Sequence, residues 1–407
     1  MQTATAIPDS GEHLERDWLH GLLEELSAIE RPSASEGEQR AAAWVLERLG
    51  ELDAEARIER EDAHGTYWWP LGIAAAASAT AALAALRGRR MLATALGAAA
   101  SAAVLDEFPP GKRRLRARLA KRSTDNVVCE LGPADVEHTI VLVAHHDAAH
   151  SGLIFHPAIP ETIFRRLGVP IERFDTSPAL MWPLIGSGAL AALAAITGAR
   201  APAKLAAFLG AGYAAAMVEI GTRPVVPGAN DNATGVVLLI ALARRLVAEP
   251  TTSTRVVLLS CGSEESFSEG MKAFGERHFD SLPRERTFFL CVDTVGSPTL
   301  NVLRGEGFSR MYEYPPAALA LIDGLAEELG IELVPNLRLR NGTDGLESLA
   351  AGYPTVTLCS VTDLKQPANY HWPTDLPENV ELDTVADAIR LCEAVIRSLD
   401  EHWLEGP

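Results

Sequence analysis

Four short apolar runs, Thr139–Ala144, Arg255–Ser260, Thr287–Val292 and Thr355–Cys359, are separated by segments of helical periodicity, and this alternation constrains the chain more than any other feature. Strands of this kind have no polar face, so both sides must be covered. A largely parallel sheet with helices on both faces meets that requirement. The spacing of apolar residues predicts helices over Trp18–Ile29, Glu36–Leu49, Gly235–Val247, Ser268–Phe279, Pro316–Leu329 and Asp383–Leu399, and a short strand over Ala54–Arg60. Asn126–Leu131 and Thr139–Ala144, joined by Gly132-Pro133-Ala134-Asp135, read as an antiparallel hairpin. The expected fold class is therefore α/β, with a mixed, mostly parallel sheet.

Two stretches break this pattern. Pro70–Leu86 and Met91–Leu105 are almost wholly apolar and joined by Arg87-Gly88-Arg89-Arg90; Ala179–Thr197 and Lys204–Val218 repeat the design around Gly198-Ala199-Arg200-Ala201-Pro202. Helices that are apolar all round must be buried in protein or in lipid. Trp68–Leu86 would be about 28 Å long, close to the roughly 30 Å hydrocarbon core of a bilayer, while the shorter partners reach only about 22 Å. Tyr67-Trp68-Trp69 and Trp182 suit an interfacial aromatic belt. The expected organisation is a catalytic domain from residues 12–66, 123–165 and 221–402, interrupted by apolar hairpins at 67–122 and 166–220. Together the hairpins should form one four-helix bundle beside the mouth of the site. Membrane lipid is the expected partner of this bundle, with a soluble bundle or a homo-oligomer interface as the alternative.

The basic run from Lys112 to Arg122 reads either as a lipid-facing segment or as a solvated helix face. Elsewhere acid prevails: 54 acidic against 36 basic residues give a formal net charge of -18, which argues against nucleic acid as a partner. Cys129, Cys261, Cys291, Cys359 and Cys392 lie in apolar runs without CxxC spacing and are expected to be buried reduced thiols. The start Met1-Gln2-Thr3-Ala4 lacks the basic and apolar regions of a signal peptide, so the expected location is membrane-associated with a cytoplasmic catalytic domain, or soluble cytoplasmic.

Candidate chemistry gathers just past the strands. His145 and Asp147 follow Ala144, Glu264 and Glu265 follow Ser260, Asp293 follows Val292, and His371 follows Cys359; Asp231 lies in Gly228-Ala229-Asn230-Asp231-Asn232-Ala233-Thr234-Gly235 at a helix start. Sheets of this class bind ligands at the carboxyl ends of their strands. One histidine or acid alone is ordinarily structural or a surface charge, but a convergent set of imidazoles and carboxylates suits zinc, whereas calcium or magnesium would want oxygen alone. A pair of zinc ions needs a shared carboxylate, for which Asp231 is the natural bridge. Of Glu264 and Glu265, one could bind metal while the other handles protons. Asp147 could fix the tautomer of His145. His146, His150 and His156 read as structural.

His145-His146-Asp147, Gly228–Gly235, Gly262-Ser263-Glu264-Glu265, Val292-Asp293-Thr294-Val295-Gly296 and Tyr370-His371 resemble, in order, the motifs of the co-catalytic zinc aminopeptidases. That family includes aminopeptidase Y, bacterial leucyl aminopeptidases, glutamate carboxypeptidase and glutaminyl cyclase. The resemblance implies one zinc on His145, Asp231 and Asp293 and a second on Asp231, Glu265 and His371, with Glu264 as general base, Asp147 supporting His145, and Tyr370 donating to the oxyanion. It also implies a di-zinc hydrolase acting on peptide or related amide bonds, an exopeptidase of the aminopeptidase type; the apolar hairpins beside the site, and not the resemblance, point to a hydrophobic substrate. A glutaminyl-cyclase-like acyl transferase and a non-catalytic membrane scaffold are the alternatives. Where the family often has Ser-Asp-His, this chain reads Asn341-Gly342-Thr343-Asp344-Gly345, which alters the substrate pocket, and the two apolar hairpins are absent from the usual domain.

Overall fold

The computed structural model describes residues 10–168, 171 and 174–404. In chain order the first part holds α1 (Ser10–Ser27), α2 (Glu36–Gly50), β1 (Ala56–Ala63), α3 (Trp68–Leu86), α4 (Arg90–Glu107), β2 (Arg122–Leu131), β3 (His138–His145) and the single turn α5 (Ala158–Glu161). Then come α6 (Trp182–Thr197), α7 (Arg200–Ile220), α8 (Thr234–Ala248), β4 (Thr254–Cys261), α9 (Glu269–His278) and β5 (Thr287–Val292). The chain finishes with β6 (Thr299–Val302), β7 (Gly305–Glu306), β8 (Tyr312–Glu313), α10 (Pro316–Leu329), β9 (Leu333–Val334), α11 (Gly345–Ala350), β10 (Thr355–Val361) and α12 (Leu382–Glu401). Residues 169, 170, 172 and 173, within the second expected insertion, lie outside the described residues.

Eight strands form one mixed sheet in the order β1-β2-β4-β3-β5-β10-β6-β9. The centre, β4-β3-β5-β10, is parallel; β2, β6 and β9 run against it, and the edge strand β1 runs with it. Alternation along β3 explains the covering on both sides: Ile140, Leu142 and Ala144 enter a core with α1, α2, α8 and α12, whereas Val141 and Val143 meet Met271 and Phe274 of α9.

The expected hairpin between Asn126–Leu131 and Thr139–Ala144 does not form. Strand β4 lies between β2 and β3, antiparallel to the first and parallel to the second. A four-residue turn suits a hairpin, but a central strand gains more by pairing on both edges. The antiparallel sense survives, so the start of β2 still lies at the sheet edge where His145 ends β3. Strands β6 and β9 were not legible, because Thr299–Val302 and Leu333–Val334 are too short for a periodic signal.

Helices α3, α4, α6 and α7 pack against one another as a four-helix unit at that edge. Glycine makes the contact possible: a Cβ on Gly97 would lie 2.5 Å from the Gly188 carbonyl oxygen, and one on Gly188 would lie 2.5 Å from that of Gly97. A Cβ on Gly210 of α7 would lie 2.7 Å from the Ala79 nitrogen of α3. Backbones therefore meet almost directly, as in bundles packed through small residues. The hydroxyls of Ser78, Thr80, Ser101, Ser187 and Thr197 donate to helix carbonyls, at 2.7 to 3.1 Å. Met91, Ile196 and Phe208 project outward, 89%, 65% and 75% exposed. Two helices, Trp68–Leu86 and Arg200–Ile220, are long and apolar enough to cross a bilayer; Trp182–Thr197 is shorter.

Two expectations about the edges of this unit fail. Tyr67 and Trp68 are buried with Phe108, Phe308 and Leu346 at its base, leaving Trp69 and Trp182 as the exposed indoles. The run from Lys112 to Arg122 is not a helix face: it forms a short turn at Arg116–Arg118 and then enters β2, with Lys112, Arg118 and Arg122 exposed. Arg113 pairs with Glu347 at 2.5 Å, Arg114 with Asp106 at 2.8 Å, Arg116 with Glu107 at 2.9 Å and Lys121 with Asp62 at 2.5 Å. Each of these cations finds an acid that is distant from any pattern visible in the run itself. The five cysteines are free and buried.

Candidate metal centre

The carboxyl ends of β3, β4 and β5 are adjacent, and their register sets His145 opposite Cys261. The peptides that follow therefore turn off the sheet side by side. His145, Asp147, Glu264, Glu265 and Asp293 arrive on these turns; Asp231 arrives from the loop before α8, and Tyr370 and His371 from the loop after β10. All eight anticipated residues come together around one centre.

Asp231 lies in the middle. Its Oδ1 is 3.4 Å from His145 Nε2 and its Oδ2 is 3.2 Å from His371 Nε2, so the carboxylate presents one oxygen to each imidazole. His371 Nε2 is also 3.1 Å from Glu265 Oε2, and His145 Nε2 is 4.0 Å from both Asp293 Oδ1 and Glu264 Oε2. Potential ligand atoms of His145, Asp231 and Asp293 lie within 4.8 Å of one another, as do those of Asp231, Glu265 and His371, and those of His145, Glu264 and Glu265.

The backbone around these groups is held by buried side chains. Asp147 accepts the N–H of Glu264 at 3.0 Å and of Glu265 at 3.1 Å, together with the Ser33 hydroxyl at 2.6 Å. It also lies 3.4 Å from His145 Nδ1, so it both orients an imidazole and anchors the acidic turn. Asp375 accepts the N–H of Asn230 at 2.8 Å and of Asp231 at 3.1 Å. Arg31, buried throughout, donates to the carbonyls of Pro227 at 2.6 Å and Gly228 at 2.7 Å. Glu38 accepts from Ala34 N–H, Ser263 Oγ and Thr124 Oγ1, each at 2.7 Å. Gly228 takes φ +64, and a Cβ there would lie 2.5 Å from the Asp231 carbonyl oxygen.

Arg31, Glu38 and Asp375 were not anticipated. Buried Arg and Glu cannot be told from surface charge by sequence pattern, because Arg31 and Glu38 sit in a helix-turn-helix stretch rich in both. Asp344, noted only as a departure from the family pattern, is also buried beside the acids. His146 is structural, its Nδ1 2.9 Å from Ser260 Oγ, and burial lowers its pKa to about 4.

Electrostatics indicate what the cluster can hold. Burial and then neighbouring negative charge, chiefly that of Asp231, Glu265 and Asp344, push Asp293 up to about 8. Burial and the charges of Glu265, Asp344 and Asp293 push Glu264 well above the carboxylate range. Burial opposes a charge on His371, yet Glu265 and Asp231 outweigh it and raise the imidazole to about 10. Crowded negative charge of this kind favours a cation at the centre. His145 Nε2, Asp231 Oδ2 and Glu265 Oε1 are buried without a hydrogen-bond partner. Orphaned ligand atoms on a shared centre fit zinc, which takes nitrogen and oxygen donors.

Tyr370 stacks on His371, with centroids 3.9 Å apart and planes at 21°. Burial, then the charges of Asp231, Glu265, Glu264 and Asp293, raise its hydroxyl well above the ordinary value, so it remains a donor. Phe155 stands edge-on to His371 at 4.5 Å, while Tyr67 stacks on Phe267 at 4.7 Å. Tyr67, at the start of the first apolar insertion, thus packs on the turn that follows Glu264 and Glu265, while Phe155 covers His371 from the segment after β3.

Residues 217–396 match peptidase family M28. This part of the chain is similar to that peptidase family. The match takes in Asp231, Glu264, Glu265, Asp293, Tyr370 and His371. No curated protein matches the chain in sequence. Among solved structures it is similar to a zinc aminopeptidase from Bacillus subtilis, at 14% identity, TM-score 0.55 and 94% coverage of both chains. It is similar to an aminopeptidase from Aneurinibacillus sp. strain AM-1, at 13% identity, TM-score 0.56 and coverage of 94% of this chain and 93% of that one. Glutaminyl cyclase from Bacteroides thetaiotaomicron has 12% identity, TM-score 0.55 and coverage of 96% and 98%. These likenesses show that the chain has the zinc-exopeptidase-like α/β fold.

Proposed function

We propose that the chain is a di-zinc metallohydrolase that cleaves peptide or related amide bonds at a free amino terminus. The observation that carries this reading is Asp231, which presents one carboxylate oxygen towards His145 and the other towards His371. His145, Asp231 and Asp293 would hold one ion, and Asp231, Glu265 and His371 the other. Bound zinc supplies Lewis acidity, which activates a water and polarises a carbonyl. Glu264 removes a proton from the attacking water as the C–O bond forms, then delivers it to the leaving nitrogen as the C–N bond breaks. Its raised proton affinity suits both transfers, since a carboxyl tuned towards neutrality is an effective base and acid. Tyr370 donates to the oxygen that gains charge, and Asp147 keeps His145 and the Glu264–Glu265 turn in place.

We read the four-helix unit as seated in a lipid bilayer, with an amphipathic or hydrophobic peptide as substrate. Between the cations at its tip (Arg87, Arg89, Arg90, Arg200 and Lys204) and the acids at its base (Asp106, Glu107 and Glu219), its helices carry no charged residue. That uncharged band is about 21–28 Å long, and its outward Met91, Ile196 and Phe208 have no charge among them.

Digestion of a peptide library with and without a chelator, read by mass spectrometry, tests the enzymatic part. Loss of single amino-terminal residues, stopped by chelation and by Glu264→Gln, is expected; full zinc content with no turnover on any amide would overturn it, and cyclised products would point to acyl transfer. Flotation with phosphatidylcholine/phosphatidylglycerol vesicles tests the seating. A detergent-free soluble dimer that fails to float would contradict it.

A further inference from the structure

Both ends of the first apolar insertion converge on Ser266–Glu269, immediately after Glu264 and Glu265. On the entry side, the N–H groups of His64 and Gly65 donate to the Glu269 carboxylate at 2.8 to 3.1 Å, and Tyr67 stacks on Phe267. On the exit side, Arg116 donates to the Ser266 carbonyl, and its guanidinium carbon lies 5.5 Å from the Phe267 ring centre. Phe108, just past the end of α4, meets the same ring at 5.9 Å. Arg116 is buried, paired with Glu107 at 2.9 Å and lying 3.7 Å from Glu269. Glu269 also accepts the Ser266 hydroxyl at 2.8 Å.

The segment so gripped is unusual in its backbone. Ser263, Phe267 and Ser268 take φ values of 56°, 67° and 52°. Non-glycine residues occupy that region only where surrounding contacts over-determine them. Asp147 holds the front of the turn through the N–H groups of Glu264 and Glu265. The back of the turn is held by Arg116 and Glu269, and Arg116 belongs to the insertion, not to the sheet.

We infer that Arg116 and Glu269 are positioning residues that fix the turn carrying Glu264 and Glu265, so that the catalytic geometry is built jointly by the sheet and by the base of the apolar insertion. This rests on the reading of Glu264 as proton carrier and Glu265 as ligand, and it adds a coupling: a shift of α3 and α4 against the sheet moves the turn. A buried guanidinium between two carboxylates suits this task, because losing it leaves charges unpaired and the arrangement cannot drift gradually.

The test is hydrogen exchange by mass spectrometry on the full chain, comparing parent, Arg116→Lys, Arg116→Met and Arg116→Met/Glu107→Gln. The double variant removes both charges of the pair and guards against simple unfolding. Exchange across residues 262–269 should rise about tenfold in the Met variants, with peptides from β3 and β4 unchanged. In parallel kcat should fall about 10–100-fold, with KM within about twofold and zinc falling from two ions towards one per chain. Lysine should restore part of each. Unchanged exchange across 262–269 in the double variant would overturn the inference, as would a rise spread evenly over the sheet. A parent that holds no zinc would sink the enzymatic reading alone, since the exchange comparison stands without it.

Discussion

The metal centre and the helical unit solve opposite problems within one chain. Around Asp231 six acidic side chains and two imidazoles crowd together, and their placement depends on long-range hydrogen bonds such as Asn230 N–H to Asp375 and Ser33 Oγ–H to Asp147. Where α4 meets α6, between the charges at the helix ends, placement depends on the absence of side chains at Gly97 and Gly188. The first region is specific and electrostatically costly without a cation; the second is tolerant of chemistry and intolerant of volume. Substitutions should therefore separate the two regions by what they damage.

The largest separation is expected from Asp231→Ala. It removes the carboxylate shared by both imidazoles, so both ions should be lost and activity should fall by more than about 10⁴-fold, measured by zinc analysis and amide release. Glu264→Gln should lower kcat by about 10²–10⁴-fold while zinc content stays at the parent value, because only proton transfer is removed. In the helical unit, Gly97→Leu should cost about 1–3 kcal/mol or more in thermal unfolding, through overpacking against the Gly188 carbonyl, with zinc content unchanged. A Gly97→Leu protein that loses zinc before it loses helix would erase the contrast.

A pH effect sharpens the comparison further. Asp293 is raised from 3.8 to about 8, mainly by burial, so the folded metal-free chain holds that proton more tightly than the unfolded chain. Its contribution to stability is complete below about pH 4 and lost as pH rises through about 8. Asp344, raised to about 7 by burial, acts in the same sense. The melting temperature of metal-free protein should therefore fall between pH 5 and pH 8, and zinc should raise it most at pH 8. The smallest effect belongs to Phe208→Ser, which should change stability by no more than about 0.5 kcal/mol yet weaken vesicle flotation.

Much of this was legible in the sequence because the site is built at strand ends. Strands such as Thr139–Ala144 are apolar throughout, so a histidine or acid directly after them stands out, and five ordered motifs located the eight residues from His145 to His371 that meet around Asp231, though not Arg31, Glu38, Asp344 or Asp375 beside them. What the sequence concealed was of two kinds. Pairing order depends on which strands share edges, and nothing in Gly132–Asp135 says that β4 will come between β2 and β3. Buried charge was equally hidden: Arg116 and Arg113 read as part of a basic run, since their partners Glu107 and Glu347 are identified only once the chain has folded. The turn at Ser263–Ser268 is the clearest case, where local sequence gives no hint of a backbone that the insertion holds from behind.

The account depends most directly on how much zinc the purified chain carries and on whether Asp231 governs it. Metal analysis by mass spectrometry should find two zinc ions per parent chain and none in Asp231→Ala. A parent without zinc, or an Asp231→Ala protein that retains both ions, would contradict the central claim.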